Sequence, residues 1–237
     1  SVGALGFDSG LLLIRGFQQL GPTPQSLSLT GTADLYLRSG TIFNGALDAT
    51  AWRIMLDGGT YNAPARFTMT GNSGAGGAGG CVFNAPVELT TLGAGQLQLH
   101  NTNSDAFNDD ILVNSPAGGG GITFGLGGGT GTLAAGHTIS VGTAGFDPGS
   151  LLLANFTQVG PTPQSLSMGG NSILFFMPGT TFNGALSSTS PRVAFHGAVF
   201  NDAVNTTMTG NTSVNSNGGN TFSGTLDLTT TGTGEIR

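Results

Sequence analysis

The stretch Thr41-Ile42-Phe43-Asn44-Gly45-Ala46-Leu47 returns almost letter for letter as Thr180-Thr181-Phe182-Asn183-Gly184-Ala185-Leu186. Shorter versions begin at Tyr61-Asn62, Phe83-Asn84, Phe107-Asn108, Phe200-Asn201 and Phe222. An aromatic, an Asn, a small residue or Pro, and then an alternating apolar run thus recur every 18 to 24 residues. Self-similarity at that period is the mark of a solenoid, in which each repeat is one turn laid on the last.

Columns read through these phrases give the faces of the turn. Four residues after each aromatic stand Leu47, Ala65, Val87 and Ile111, and six after stand Ala49, Phe67, Leu89 and Val113. Between them lie Asp48, Arg66, Glu88 and Leu112. Period-two alternation of this kind predicts a strand with one buried and one wet face. A second strand type carries Leu35 and Leu37, Ile54 and Leu56, and Leu97 and Leu99. The fold expected is an all-β parallel β-helix, right-handed as parallel crossovers usually are, with about 20 residues per coil and roughly 12 coils. The aromatics and amides at Phe43, Asn44, Tyr61, Asn62, Phe83, Asn84, Phe107, Asn108, Phe182, Asn183, Phe200 and Asn201 are expected to pile into ladders along the axis.

A longer period of 139 residues overlies the short one, and about 45 of its 98 overlapping positions are identical. Residues 1–139 form one complete unit and 140–237 a second, truncated copy, read as one continuous solenoid. At about 20 residues per coil, a unit would hold roughly seven coils and rise about 34 Å. The best-kept block, Gly21-Pro22-Thr23-Pro24-Gln25-Ser26-Leu27-Ser28, is expected to be a rigid corner, because two nearby prolines resist helix and central strand alike. The chain begins without Met, at a processed or chosen start, and ends inside a repeat, as a window cut from a longer array would. Gly-rich runs at 74–80, 118–121 and 127–131 are expected to project as loops.

Composition narrows function. The net charge is -6 and the chain has no Lys, so no basic patch draws nucleic acid or an anionic membrane. No apolar run approaches the roughly 20 residues that span a bilayer. The single Cys81 cannot form an intrachain disulfide, and Asn220 replaces it in the second copy.

Candidate sites are few. Asp48, Arg66 and Glu88 share one outward column, which reads as a mixed-sign ladder or as a charged catalytic or sugar-binding strip; the second copy carries Ser187, Asn205 and Asp227 there. Asp105, Asp109 and Asp110 surround Phe107, and Ca2+ is the hard cation such carboxylates would take. His100, His137 and His196 lie in different coils without a ligand partner at local spacing, which argues against zinc. A Thr column at Thr50, Thr68, Thr90, Thr189, Thr207 and Thr229 suits a wet strand face and is also the raw material of an ice-binding array. Ile173, Phe175 and Met177 replace Asp34, Tyr36 and Arg38 on an outward face, and are expected to form an apolar interaction patch.

The phrases FNGAL, YNAPARF, FNAPVEL and FNDDILV inside a 139-residue tandem unit resemble the repeat regions of giant secreted β-helical adhesins of Bacteroidota, and more loosely the filamentous passengers of autotransporters. That resemblance implies an extracellular, cell-surface fibre without catalysis. Its partners would be further copies of the repeat, within one chain or by self-assembly, and surface polysaccharide. A carbohydrate-active enzyme or polysaccharide-binding module on the same fold, and an ice-binding solenoid, are the alternatives.

Overall fold

The computed structural model describes residues 7–116 and 118–236, and it is a β-solenoid of about ten turns. Every strand pairing among these residues is parallel. Each turn runs through three faces. A leading face comprises a three-stranded sheet that includes Asp34–Arg38 and a six-stranded sheet from Ala75–Gly76 to Arg192–Phe195. A narrow face stacks nine strands of two or three residues, from Ile42–Phe43 to Thr221–Phe222. A wide face stacks ten strands, from Gln25–Ser28 to Leu226–Thr230.

The quoted stretch is the corner that joins these faces, and each of its letters has a task. Thr41 and Thr180 are buried, and each hydroxyl donates to a carbonyl on the turn before, Ile14 O at 3.3 Å and Leu153 O at 2.7 Å. Phe43 and Phe182 turn inward. Asn44 and Asn183 donate back to the Gln19 and Gln158 carbonyls. Gly45 and Gly184 lie so close to the Pro-Thr backbone below that a Cβ would sit within 2.5 Å of a carbonyl oxygen in either copy. The Pro-Thr-Pro-Gln block is therefore the floor on which the corner rests. Buried Gln158 and Gln164 tie its backbone to the neighbouring turns: both Nε2 groups donate to Thr162 O, that of Gln164 at 2.9 Å, while Gln158 Oε1 accepts from Gly184 N at 3.2 Å and Gln164 Oε1 from Ile139 N at 2.7 Å.

Stacking turns like letters into touching side chains. Phe43 and Tyr61 lie 5.9 Å apart, Tyr61 and Phe83 4.9 Å, and Phe83 and Phe107 5.1 Å, all within 9° of parallel. Asn62, Asn84 and Asn108 each donate an amide N–H at 2.7 Å to the Asn one turn below. The file resumes with Phe182, Phe200 and Phe222, and Asn201 donates to Asn183 at 2.7 Å. In between, Leu133 and Gln158 occupy the ring position, so the aromatic stack is two runs rather than one. Each stacked pair is worth about 0.5–1.5 kcal/mol beyond its burial.

Three expectations need correction. The turns number about ten, not 12, because their length on regular strand pairings ranges from 18 to 29 residues and centres near 22. Six narrow-face steps, not seven, separate Phe43 from Phe182, so one 139-residue unit rises about 29 Å at ~4.8 Å per step. The longest turns carry extra backbone, including a bulge that moves the partner of Ser115 from the Val141 register to Phe146. The Gly-rich runs do not simply project. Ala75–Gly76, Gly121–Phe124 and Gly131–Leu133 are sheet strands, where absent side chains let neighbouring groups approach.

The two copies build one core by different means. Ala49 and Phe67 become Ser188 and Thr206, which remain inward and buried. Phe67 meets Tyr61 edge-on at 5.4 Å. In the second copy that edge contact comes from Phe176, at 5.8 Å from Phe182 and 5.4 Å from Phe200. Phe176 and Phe195 stand where the first copy has Leu37 and Leu56, so aromatic volume has moved from the wide face to the leading face.

Candidate functional site

A groove of about 480 Å3 runs along the axis beside the wide face, from Pro24 on one turn to Thr138 and Ser140 five turns on. Its floor is the corner column that contains Pro24, Pro64, Pro86 and Asp110; its wall is the outward column of Asp48, Arg66, Glu88 and Leu112. Proline is favoured in the floor because the corner needs no N–H there and the ring fixes an extended entry into the strand. A second groove of about 350 Å3, from Pro163 to Asp227, occupies the same positions one 139-residue period later.

The charges in the wall are partly mutual. Arg66 Nε donates to Glu88 Oε2 at 2.8 Å, and the other Glu88 oxygen accepts from Asn114 Nδ2 at 3.0 Å. An exposed pair of this kind contributes at most about 1 kcal/mol, so it shapes the groove more than it stabilises the fold. The neighbouring Thr column does not form a flat wet array. Thr50 and Thr68 are half-buried, Thr90 is buried, and Asn114 interrupts the file.

The three aspartates around Phe107 are not one cluster. Asp105 turns inward and is buried, accepting the N–H of Cys81 and of His100, each at 2.8 Å. Burial pushes its carboxyl up to about 6 against the opposing pull of the Cys81, His100 and Gly80 N–H groups. Asp109 and Asp110 remain on the outer corner, and the next turn brings His137 above them. His137 Nδ1 lies 3.3 Å from Asp109 Oδ1 and 3.8 Å from Asp110 Oδ1. The signal in the sequence was a turn of 28 residues, the spacing of the Asp110–Thr138 contact, which local ligand spacing does not reveal.

Inside the solenoid, His100 fills a space that glycine leaves open, since a Cβ on Gly131 would lie 2.4 Å from the imidazole. Its Nε2 is 3.2 Å from Ala154 O, its Nδ1 has no hydrogen-bond partner but lies 3.9 Å from Asp105 Oδ2, and burial lowers its pKa to about 4. Cys81 is buried, and burial pushes its thiol up to about 12, which makes it an inert core residue. His196 is apart from both other histidines, near Phe175 with ring centroids 6.1 Å apart.

Ile173, Phe175 and Met177 are half-buried on the leading face. Cross-turn ion pairs occupy the equivalent surface of the first copy, Asp34 with Arg53 and Arg38 with Asp57. The second copy keeps Arg192 beside Ile173 but loses the acids, so an apolar strip replaces a charged one. No protein-family model, curated protein or solved structure matches this chain.

Proposed function

We propose that the chain is a structural and adhesive segment of a long extracellular bacterial surface fibre, with no catalysis of its own. The observation that carries this reading is the junction between the two copies. The wide and narrow faces pass from residues 1–139 into 140–237 without a break in parallel pairing. Units joined in this way add length along one axis, which is the property a stalk needs. The test is electron microscopy of chains carrying two, three and four units. Each added unit should lengthen the particle by about 29 Å; particles that grow in all directions would overturn the reading.

The adhesive part rests on the groove, which returns once per unit with altered side chains. In the second copy Ser187 and Asn205 leave Asp227 as the one carboxylate lining the groove, and in the first Glu88 is held by Arg66 and Asn114, which suits recognition of a hydroxyl-rich chain such as polysaccharide better than its cleavage. Retention of the chain on immobilised neutral polysaccharides, abolished by Pro64→Asp in the groove floor, is the expected result. Equal retention of the variant would remove the groove from the reading.

A further inference from the structure

We propose that Asp109, Asp110 and His137 form a binding site for one divalent first-row transition-metal ion, of which Zn2+ is the test case. One ligand atom from each of the three lies within 4.8 Å of the others. The separation of His137 Nδ1 from Asp109 Oδ1, 3.3 Å, is that subtended at about 105° by two ligands roughly 2.1 Å from a common ion. The groups come from two successive turns, so the stacking of the solenoid itself assembles the site.

Each group is held in place by the backbone. Asp109 Oδ1 accepts from Asp110 N at 2.7 Å. Asp110 Oδ1 accepts from Thr138 N at 2.7 Å and from Thr138 Oγ1 at 3.0 Å, which leaves Oδ2 as its free ligand oxygen. The carbonyl of His137 accepts from buried Gln164 Nε2 at 3.2 Å. Among the described residues neither aspartate is paired with an arginine, so two carboxylates face an imidazole with no resident cation.

The ligand set selects the metal. An imidazole nitrogen with two carboxylates suits Zn2+, Co2+ or Mn2+, whereas Ca2+ wants six to eight oxygens that this corner does not supply. Three protein ligands leave at least one position for water or for an oxygen of a molecule in the adjoining groove, which Asp110 and Thr138 also line. This inference stands apart from the fibre reading, because a rod without a metal would still lengthen with each unit.

The experiment is calorimetric titration of the 237-residue chain with ZnCl2, and separately with CaCl2, in a non-chelating buffer. The expected result is one Zn2+ per chain, bound more tightly than Ca2+. His137→Ala and the isosteric Asp109→Asn/Asp110→Asn double variant should each weaken Zn2+ by more than the roughly 10–100-fold that loss of an outer-shell partner costs. His196→Ala should leave binding unchanged. Far-ultraviolet circular dichroism confirms that each variant is folded, and the aspartate pair decides the matter if His137→Ala is not. Absence of saturable Zn2+ binding, or wild-type binding by the folded variants, overturns the site.

Discussion

Ser188 Oγ and Thr206 Oγ1 lie 2.8 Å apart inside the solenoid, hydrogen-bonded to each other where the first copy places Ala49 and Phe67. Two polar residues on an inward column contradict a simple alternation of letters, and the pairing resolves the conflict: one hydroxyl donates to the other, so each has a hydrogen-bond partner.

Removing one member should therefore cost more than removing both. Ser188→Ala leaves the Thr206 hydroxyl buried without its partner, at about 1–3 kcal/mol, while Ser188→Ala/Thr206→Val should be close to neutral. Urea unfolding of the three chains measures the difference, and equal losses in the single and double variants would refute mutual satisfaction.

The displaced aromatic volume makes a second prediction. Phe67→Thr in the first copy should destabilise by about 3–5 kcal/mol, as large-to-small core changes do. Adding Leu37→Phe and Leu56→Phe, the residues found at Phe176 and Phe195, should recover part of that loss in the same unfolding assay. No recovery would mean that the two copies are packed independently of this exchange.

Tyr61 carries a buried hydroxyl without a hydrogen-bond partner, and its counterpart Phe200 carries none. Burial also drives the Tyr61 pKa well above its ordinary value. Tyr61→Phe should raise stability by about 1 kcal/mol, read as a higher denaturation midpoint at an unchanged slope.

Asp105 and His100 make opposite contributions to acid stability. The Asp105 pKa is raised from 3.8 to about 6, so its contribution is complete below about pH 3.8 and is lost as pH rises towards 6. The His100 pKa is lowered from 6.5 to about 4, so its contribution is complete above about pH 6.5 and is lost as pH falls towards 4. Between about pH 4 and 6 the two slopes cancel. Against an Asp105→Asn/His100→Asn reference, which subtracts other carboxylates such as nearby Asp57, Asp105→Asn should gain about 3 kcal/mol as pH rises across this window. His100→Asn should lose a similar amount over the same range; Asn suits the positive φ of 34° at this position. Parallel curves would show that neither group is perturbed.

Much of this architecture was legible because a solenoid converts sequence period into spatial contact. The Phe43–Tyr61–Phe83–Phe107 stack and the Asn file above Asn44 follow from spacing alone. What escaped depends on the length of individual turns. The turn count failed because the middle turns absorb a bulge near Phe146 and Gly-rich strands that look like loops. His137 escaped for the same reason, since only the register of a 28-residue turn sets it over Asp109. Asp105 was grouped with its neighbours by proximity in sequence, although strand alternation sends it inward and them outward.

The parallel pairing between turns, unbroken along the wide and narrow faces, has a mechanical consequence. Tension along the axis pulls directly against the backbone bonds that join one turn to the next, continuously on the wide and narrow faces and within the two separate sheets of the leading face. A turn that yields would release some 22 residues, about 75 Å of extended chain, in exchange for the ~4.8 Å it spanned when seated. Such a rod is short and stiff under small loads, and under a large one it pays out line turn by turn instead of snapping.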